Sequence, residues 1–265
     1  MKPLAVDLCC GLGGWSHGLL AEGWDVVGFD VERHVYGNDH YTAQLVLQDI
    51  LTIDGRQFRG KVSLVVASPP CQFFSYTAMP WTRAKKLAAE VRTDPVRLAK
   101  ELALFNACVR IGSEAECPIV IENVRGAQKW VGRARWMYGS FALWGDVPAL
   151  MPITQQIKVG RNFHQFEKTG IPSASFHGAP HEKSVQRAEG IKQGGEWWHD
   201  PNGLRALSSR SNARKQASAM IAKIPFELAQ YIARVFKPQE ADEEGLEKSR
   251  CNSFSLVVSS IWYWL

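Results

Sequence analysis

A cysteine and a glutamate stand out in the sequence because each is a polar, reactive residue at an apolar segment. Cys71 follows an apolar run and two prolines in VVASPPCQFFS, and the prolines hold the preceding backbone rigid. Glu122 interrupts the apolar stretch PIVIENV. An ionised thiol is a strong nucleophile, and removing water from a carboxyl group favours its protonated, proton-donating form. A nucleophile and an acid that face one pocket are typical of covalent catalysis.

Glycines and acids at other positions indicate a nucleotide-binding pocket. The loop Gly11–Gly14 lets a ligand approach the backbone closely at the start of a helix. It lacks the third glycine of the G-x-G-x-x-G pattern, which disfavours a dehydrogenase. Asp30 is placed to accept hydrogen bonds from ribose hydroxyls, and Asp49 to meet the exocyclic amine of an adenine.

These residues all follow or end segments with the pattern of buried strands. Strands are predicted over Pro3–Leu8, Trp24–Asp30, Gln44–Ile50, Lys61–Ala67 and Pro118–Val124. Their alternation with helices predicts an α/β fold with a doubly wound, mostly parallel sheet in the order 3-2-1-4-5. Ligands bind such sheets beyond the carboxyl ends of the strands, so one crevice would hold Cys71, Glu122 and the acids.

Helices are predicted in three places. The stretch WSHGLLAEG after the glycine loop suits a short helix closed by Gly23. Asp94 and Pro95 are typical of the N-cap and first position of a longer helix. Its apolar face is predicted to contain Leu98, Leu102, Phe105 and Val109. A helical pattern returns from Arg214, in KQASAMIAKIPFELAQYIARVF.

The composition argues against several classes of protein. The 265 residues are 46% hydrophobic and 22% charged, which suits a globular protein with a core. The sequence shows no secretory signal and no apolar run near the roughly 20 residues that span a bilayer. Its six cysteines form no CxxC pair, so no metal is expected, and free thiols fit a reducing cytoplasm.

Three motifs together, DLCCGLGG, SPPCQFFS and IENV, resemble those of the cytosine-5 DNA methyltransferases. The resemblance covers about residues 4–150 and 214–236, and LWGDVPALMP is similar to short, phage-encoded members. It implies the S-adenosylmethionine-dependent methyltransferase fold and double-stranded DNA as substrate, with the target cytosine flipped out of the duplex. A monomeric cytoplasmic enzyme of DNA methylation and restriction–modification is therefore expected.

The resemblance also implies a role for each motif residue. Cys71 attacks carbon 6 of the cytosine, and Glu122 donates a proton to ring nitrogen 3. Gln72 and Ser75 belong to a loop that closes over the flipped base and contacts DNA. The residues implied to hold S-adenosylmethionine are Asp7, Gly11, Leu12, Gly13, Gly14, Asp30, Asp49 and Ile50.

Two departures from the family pattern leave other roles open. A Gln-x-Arg-x-Arg motif helps hold the base in the family. The stretch GRARWMY offers Arg133 and Arg135 at the right mutual spacing but lacks the glutamine, so contact with phosphate or solvent is the alternative. Before the last helix, Ala222 stands where the family has an asparagine, which puts one cofactor contact in question.

The predicted organisation has four parts. They are a catalytic and cofactor-binding domain (1–149), a small basic target-recognition region (150–213), a C-terminal helix returning to the catalytic domain (214–237) and an acidic, then apolar tail (238–265). Residues 151–237 carry 13 Lys and Arg against 6 Asp and Glu, a net charge of +7. This excess is typical of a polyanion-binding surface. The candidate phosphate contacts, which position DNA without specifying its sequence, include Lys158, Arg161, Lys183 and Arg187.

Two other functions stay open. Some transfer-RNA-modifying relatives also carry SPPCQ and ENV, so the chain could be an RNA cytosine-5 methyltransferase. The basic stretch between the catalytic strands and the last helix favours DNA. An inactive relative that binds nucleic acid is the second alternative, suggested by the missing glutamine and asparagine. The intact Cys71 and Glu122 argue against it, because a protein that only binds needs neither.

Overall fold

The structure, a computed structural model, describes residues 2–75, 81–149 and 211–238. The strands in these ranges are β1 (Leu4–Leu8), β2 (Asp25–Asp30), β3 (Val35–Tyr36), β4 (Asp39–His40), β5 (Gln44–Leu47), β6 (Leu64–Ala67), β7 (Ile119–Val124), β8 (Trp136–Tyr138) and β9 (Phe141–Gly145). The helices are α1 (Gly14–Ala21), α2 (Trp81–Thr93), α3 (Pro95–Ala115), α4 (Gln128–Val131), α5 (Asn212–Ala222) and α6 (Phe226–Phe236). Single 3₁₀ turns lie at Ile50–Thr52, Gly55–Phe58 and Arg125–Ala127.

Seven of the strands form one sheet in the order β5-β2-β1-β6-β7-β9-β8. The first five are parallel, β9 is antiparallel to β7, and β8 is antiparallel to β9. The predicted order of five parallel strands is therefore confirmed, as is the α/β fold class. The β8–β9 hairpin was not predicted, because its strands are short and one of them lies at the sheet edge.

The sheet is buried on both faces, which explains why its central strands are continuous apolar runs. All four residues of β6 are buried, and their side chains alternate between two apolar clusters. Helix α3 covers one face through Phe105 and Ile111. Helices α1 and α6 cover the other, where Leu19 and Leu228 are fully buried.

Helix α3 begins as predicted, and its apolar face differs from the prediction at one position. The Asp94 side chain accepts a hydrogen bond from the Arg97 N–H at 2.9 Å, and Pro95 opens the helix. Val109 is 48% exposed, so its assignment to the apolar face is wrong. The buried face continues instead from Phe105 through Cys108, because a helical period of 3.6 admits a step of three as well as four.

The C-terminal helical segment is divided where a single helix was predicted. Helix α5 ends at Ala222 and α6 begins after Pro225, whose ring cannot continue a helix. The indole N–H of Trp24 donates to the carbonyl oxygen of Ala233 at 3.1 Å, which ties α6 to the start of β2.

Several predictions lie wholly or largely outside the described residues. They concern the target-recognition region with Lys158, Arg161, Lys183 and Arg187, the acidic and apolar tail, and the four-part division of the chain. In the described part of the chain, no helix combines the length and the apolar character that crossing a bilayer requires.

Candidate active site

The glycine loop lies between β1 and α1, at the carboxyl end of the central strand. Gly11 and Gly13 have φ angles of 50° and 73°, in the left-handed region that favours glycine. The Gly13 N–H donates to the Cys10 carbonyl at 2.8 Å, which turns the chain into the helix. A Cβ added at Gly11 would meet no atom within 4 Å, so the described structure leaves open space beside this backbone.

Asp30 lies at the end of the neighbouring strand β2 and contacts the glycine loop directly. Its Oδ2 accepts a hydrogen bond from the Gly11 N–H at 3.0 Å, and its Oδ1 lies 3.5 Å from Nε2 of His34. Burial raises the pKa of Asp30, but the hydrogen bonds from His34 and Gly11 outweigh it and hold the pKa below its usual value. His34 is a site residue that the sequence analysis missed, and its spacing four residues after Asp30 was the available signal.

Asp7 lies fully buried in β1 beneath the loop. The Ser16 hydroxyl donates to its Oδ2 at 2.6 Å and lies 2.7 Å from the hydroxyl of Tyr41. The other oxygen, Oδ1, is buried and has no hydrogen-bond partner among the residues that the structure describes. Burial, with a smaller contribution from Asp30, raises the pKa of Asp7 to about 7 despite the hydrogen bond from Ser16.

The raised pKa of Asp7 predicts a stability that falls as pH rises. The folded protein holds this proton up to about pH 7, whereas the unfolded chain releases it near 3.8. The stabilisation is therefore complete below about pH 4 and lost as pH rises through 7, by at most about 4 kcal/mol. We expect Asp7→Asn to flatten the free energy of unfolding over this window, measured by urea denaturation between pH 4.5 and 8.

The matched control for this prediction is Asp25→Asn, which changes an exposed carboxylate at the start of β2. It should keep the slope of the unmodified protein. An Asp7→Asn protein with that same slope would show that Asp7 is ionised throughout the window.

The other residues implied to hold a cofactor lie near this loop or at the end of β5. Leu12, Gly13 and Gly14 are buried. Strand β5 ends at Leu47, three residues before the predicted end, and Asp49 instead caps the following 3₁₀ turn by accepting the Leu51 N–H at 2.9 Å. Ile50 belongs to that turn and is buried in the core.

The cysteine loop follows β6 and is held by hydrogen bonds at both ends. The Asn123 side-chain amide donates to the Pro69 carbonyl at 2.9 Å. The N–H groups of Phe74 and Ser75 donate to the Cys71 carbonyl at 3.0 and 2.9 Å, which folds the chain into a tight turn. Cys71 is partly exposed. Gln72, in the same turn, is exposed, so both side chains are accessible from the carboxyl edge of the sheet.

Glu122 lies in β7, the strand next to β6, and only 4% of its surface is exposed. The register pairs Ala67 with Ile121, so Glu122 is level with the next residue of the chain after β6, Ser68. Adjacent strands lie about 4.8 Å apart. The fold thus brings the cysteine loop, the glutamate and the glycine loop to neighbouring positions on strands β6, β7 and β1.

The two arginines lie further from this centre. Arg133 and Arg135 are both exposed, on the approach to the edge strand β8. The Arg135 N–H donates to the Leu143 carbonyl at 2.8 Å, and Leu143 pairs with Glu122. Arg135 is therefore about level with Glu122 but two strands away, and its part in holding a base stays a prediction. At the carboxyl edge itself, the turn Gly139–Ser140 occupies the hairpin end beside Val124.

No group of three or more His, Cys, Asp or Glu side chains suited to a metal ion occurs within the described ranges. The candidate site combines a thiol, a buried carboxyl group and a glycine loop with two acids. The parallel sheet extended by an antiparallel hairpin has the strand order of the Rossmann-like methyltransferase fold.

The family model for C-5 cytosine-specific DNA methylase matches residues 4–132. This match, over just under half of the chain, supports the family predicted from the three motifs. Among curated proteins, the Type II methylase M.HgiDII of Herpetosiphon aurantiacus is 29% identical over 126 residues. The match covers 40% of this chain and 35% of that protein, so the chain spans about a third of the length of this relative.

Solved structures with a similar fold include S. pombe Dnmt2 methyltransferase, which is 18% identical with a TM-score of 0.32 over 50% of this chain and 37% of its own. Entamoeba histolytica methyltransferase EhMeth is 18% identical with a TM-score of 0.32, over 50% of this chain and 41% of its own. A candidate DNA modification methyltransferase from an E. coli prophage is 21% identical with a TM-score of 0.31, over 48% and 33%.

Proposed function

We propose that the chain methylates carbon 5 of cytosine in double-stranded DNA, through a covalent bond between Cys71 and the base. The observation that carries this proposal is the placement of Cys71 and Glu122. Cys71 lies in the loop after β6 and Glu122 lies in the neighbouring strand β7, at the carboxyl edge of the sheet and beside a glycine loop. A pyrimidine ring has the right size to contact both a thiol after one strand and a carboxyl group on the next, since the strands are about 4.8 Å apart.

The residues around the glycine loop fit S-adenosylmethionine, which supplies the methyl group when bound. The open space at Gly11 admits a ligand against the backbone, and Asp30 is oriented by the same loop. The Oδ1 of Asp7, buried beneath the loop, has no hydrogen-bond partner among the described residues and is left for a polar group of the ligand. The Asp30 carboxylate, whose pKa is held below its usual value, favours a cationic ligand over a phosphate-bearing dinucleotide.

The reaction steps follow from the chemistry of cytosine. The thiolate of Cys71 forms a bond to carbon 6 while the carboxyl group of Glu122 gives its proton to nitrogen 3, so negative charge does not build up on the ring. Carbon 5 thereby becomes nucleophilic and accepts the methyl group. A base then removes the proton from carbon 5, the electron pair of that bond expels the Cys71 thiolate, and nitrogen 3 returns its proton to the Glu122 carboxylate.

The target base must leave the duplex to reach Cys71, because ring carbons 5 and 6 are covered inside the base stack. Gln72 and Ser75 are placed in the turn beside Cys71, where they would contact the flipped base or its backbone. Lys158, Arg161, Lys183 and Arg187, in the basic part of the sequence, supply the proposed phosphate contacts. Arg133 or Arg135 is the proposed further contact to the base.

Trapping with 5-fluorocytosine tests the proposal, since fluorine at carbon 5 prevents release of Cys71 from the methylated base. We expect the full chain with S-adenosylmethionine to form a denaturation-resistant adduct on fluorinated duplex DNA. Cys71→Ser should abolish the adduct, because a serine hydroxyl is a far weaker nucleophile. Cys117→Ser is the matched control, since this partly buried cysteine lies before β7, and it should leave the adduct unchanged.

Two parallel probes, one of DNA and one of RNA, identify the substrate. Fragmented genomic DNA from several sources, made with 5-fluorocytosine, should yield adduct, and transfer RNA made with the same base should not. An adduct on RNA alone would make the chain an RNA methyltransferase. No adduct on either polymer, with binding of both retained, would favour the inactive relative.

A further inference from the structure

A side-chain hydrogen bond joins the glycine loop to the cysteine loop. The indole N–H of Trp15 donates to the hydroxyl oxygen of Ser68 at 2.9 Å, across 53 residues of sequence. Trp15 follows the last glycine of the loop, and Ser68 lies directly before the two prolines and Cys71. The two loops that carry the proposed cofactor and the proposed nucleophile are therefore in direct contact.

The Trp15 end of this contact is buried and closely packed. Only 1% of the Trp15 side chain is exposed, and it packs in the apolar cluster between α1 and α6. The preceding residue, Gly14, touches Ile224 so closely that a Cβ there would lie 2.9 Å from the Ile224 Cβ. Because its ring is enclosed on all sides, the indole has little room to move, and its N–H group can hold the acceptor Ser68 in place.

The Ser68 end is the point where the chain leaves the sheet. Its N–H continues the parallel ladder by donating to the Leu8 carbonyl at 3.1 Å. The next residue, Pro69, is held by Asn123 from the other side. Ser68 is also level with Glu122 on the neighbouring strand, so a shift of Ser68 would move Cys71 relative to the acid.

We propose that Trp15 is a positioning residue, which fixes Ser68 and thereby sets the place of Cys71 relative to the glycine loop and Glu122. This proposal rests on the function proposed above. Trp15 does not touch the reacting atoms in this view. Its N–H group holds Ser68. The two prolines that follow restrict backbone rotation, so a displacement of Ser68 would also displace Cys71.

The test compares two tryptophans with equal burial. Trp15→Phe removes the N–H donor and keeps an aromatic ring. Trp24→Phe does the same to a tryptophan that is also 1% exposed and in the same cluster, but whose N–H bonds to Ala233, away from the cysteine loop. A general loss of packing would affect both variants alike, whereas a loss of positioning would affect the first alone.

We expect Trp15→Phe to lower kcat for methyl transfer by about ten- to a hundredfold, since misplacing a reacting group by about 1 Å costs up to about a hundredfold. The KM for S-adenosylmethionine should change less than about twofold relative to Trp24→Phe. Alkylation of Cys71 by iodoacetamide, followed by mass spectrometry of its peptide, should be faster in Trp15→Phe because the loop is released.

Changes at Ser68 complete the test. Ser68→Ala should reproduce the kcat of Trp15→Phe, and the double variant should lose no more, because both changes remove one hydrogen bond. Ser68→Thr keeps the hydroxyl and should restore most of the activity.

Equal kcat and equal alkylation in Trp15→Phe and Trp24→Phe would overturn the proposal while leaving the proposed function intact. If the unmodified chain transfers no methyl group, the alkylation rates still decide the positioning role.

Discussion

Glu122→Gln is expected to slow methyl transfer by about 10²- to 10⁴-fold, the range that general acid catalysis contributes. Glutamine has the same shape as glutamate but has no acidic proton to give to nitrogen 3 of cytosine. Attack of Cys71 on carbon 6 would then place negative charge on the ring. The rate of adduct formation on 5-fluorocytosine DNA should fall by a similar factor, and this rate is the direct measurement.

The control for Glu122→Gln is Glu116→Gln. Glu116 is exposed and pairs with Arg59 at 3.0 Å, close to the amino end of β7 and away from its carboxyl end. The Glu116→Gln protein should form the adduct at the same rate as the unmodified protein. Both variants should keep a cooperative thermal unfolding transition. A folded Glu122→Gln protein with nearly full adduct formation would show that another group protonates the base, and the proposed role of Glu122 would be lost.

Gly18→Val is expected to destabilise the folded protein by about 3 kcal/mol or more, through overpacking between α1 and α6. A Cβ at Gly18 would lie 2.5 Å from the carbonyl carbon of Ala229 and 2.6 Å from its Cβ. These are backbone and first side-chain atoms, which cannot turn away as the end of a long side chain can. Helix α6 must therefore move from the sheet or the helix α1 must bend.

Ala21→Val is the matched control, because it introduces the same β-branched residue at an exposed position of α1. It should cost less than about 1 kcal/mol, the difference in helix propensity. Urea denaturation at fixed pH measures both free energies of unfolding. Equal effects at positions 18 and 21 would contradict the close contact between α1 and α6.

The parallel core of the sheet and the candidate residues Cys71 and Glu122 could be predicted from local patterns in the sequence. The runs that became β1, β2, β6 and β7 are apolar because both faces of the sheet are covered, and that signal is local. Glu122 was recognisable because burying a carboxyl group inside an apolar strand costs free energy unless the group is paired or protonated. Cys71 was recognisable because it directly follows such a strand and two prolines. The N-cap of α3 was equally local, since Asp94 bonds to an N–H only three residues away.

The tertiary structure alone decided which distant groups meet. Ser16 and Tyr41 are unremarkable in the sequence, yet they surround Asp7 and set the environment in which its pKa rises. Val109 fits the helical period and still faces outward, because the sheet determines which side of α3 is covered. The edge hairpin that keeps Arg135 two strands from Glu122 depends on pairing, as does the bond from Trp15 to Ser68. Local sequence patterns indicate which residues are buried and where the chain turns. These contacts depend instead on strand order and register, and both are set by pairing between segments that are far apart in the sequence.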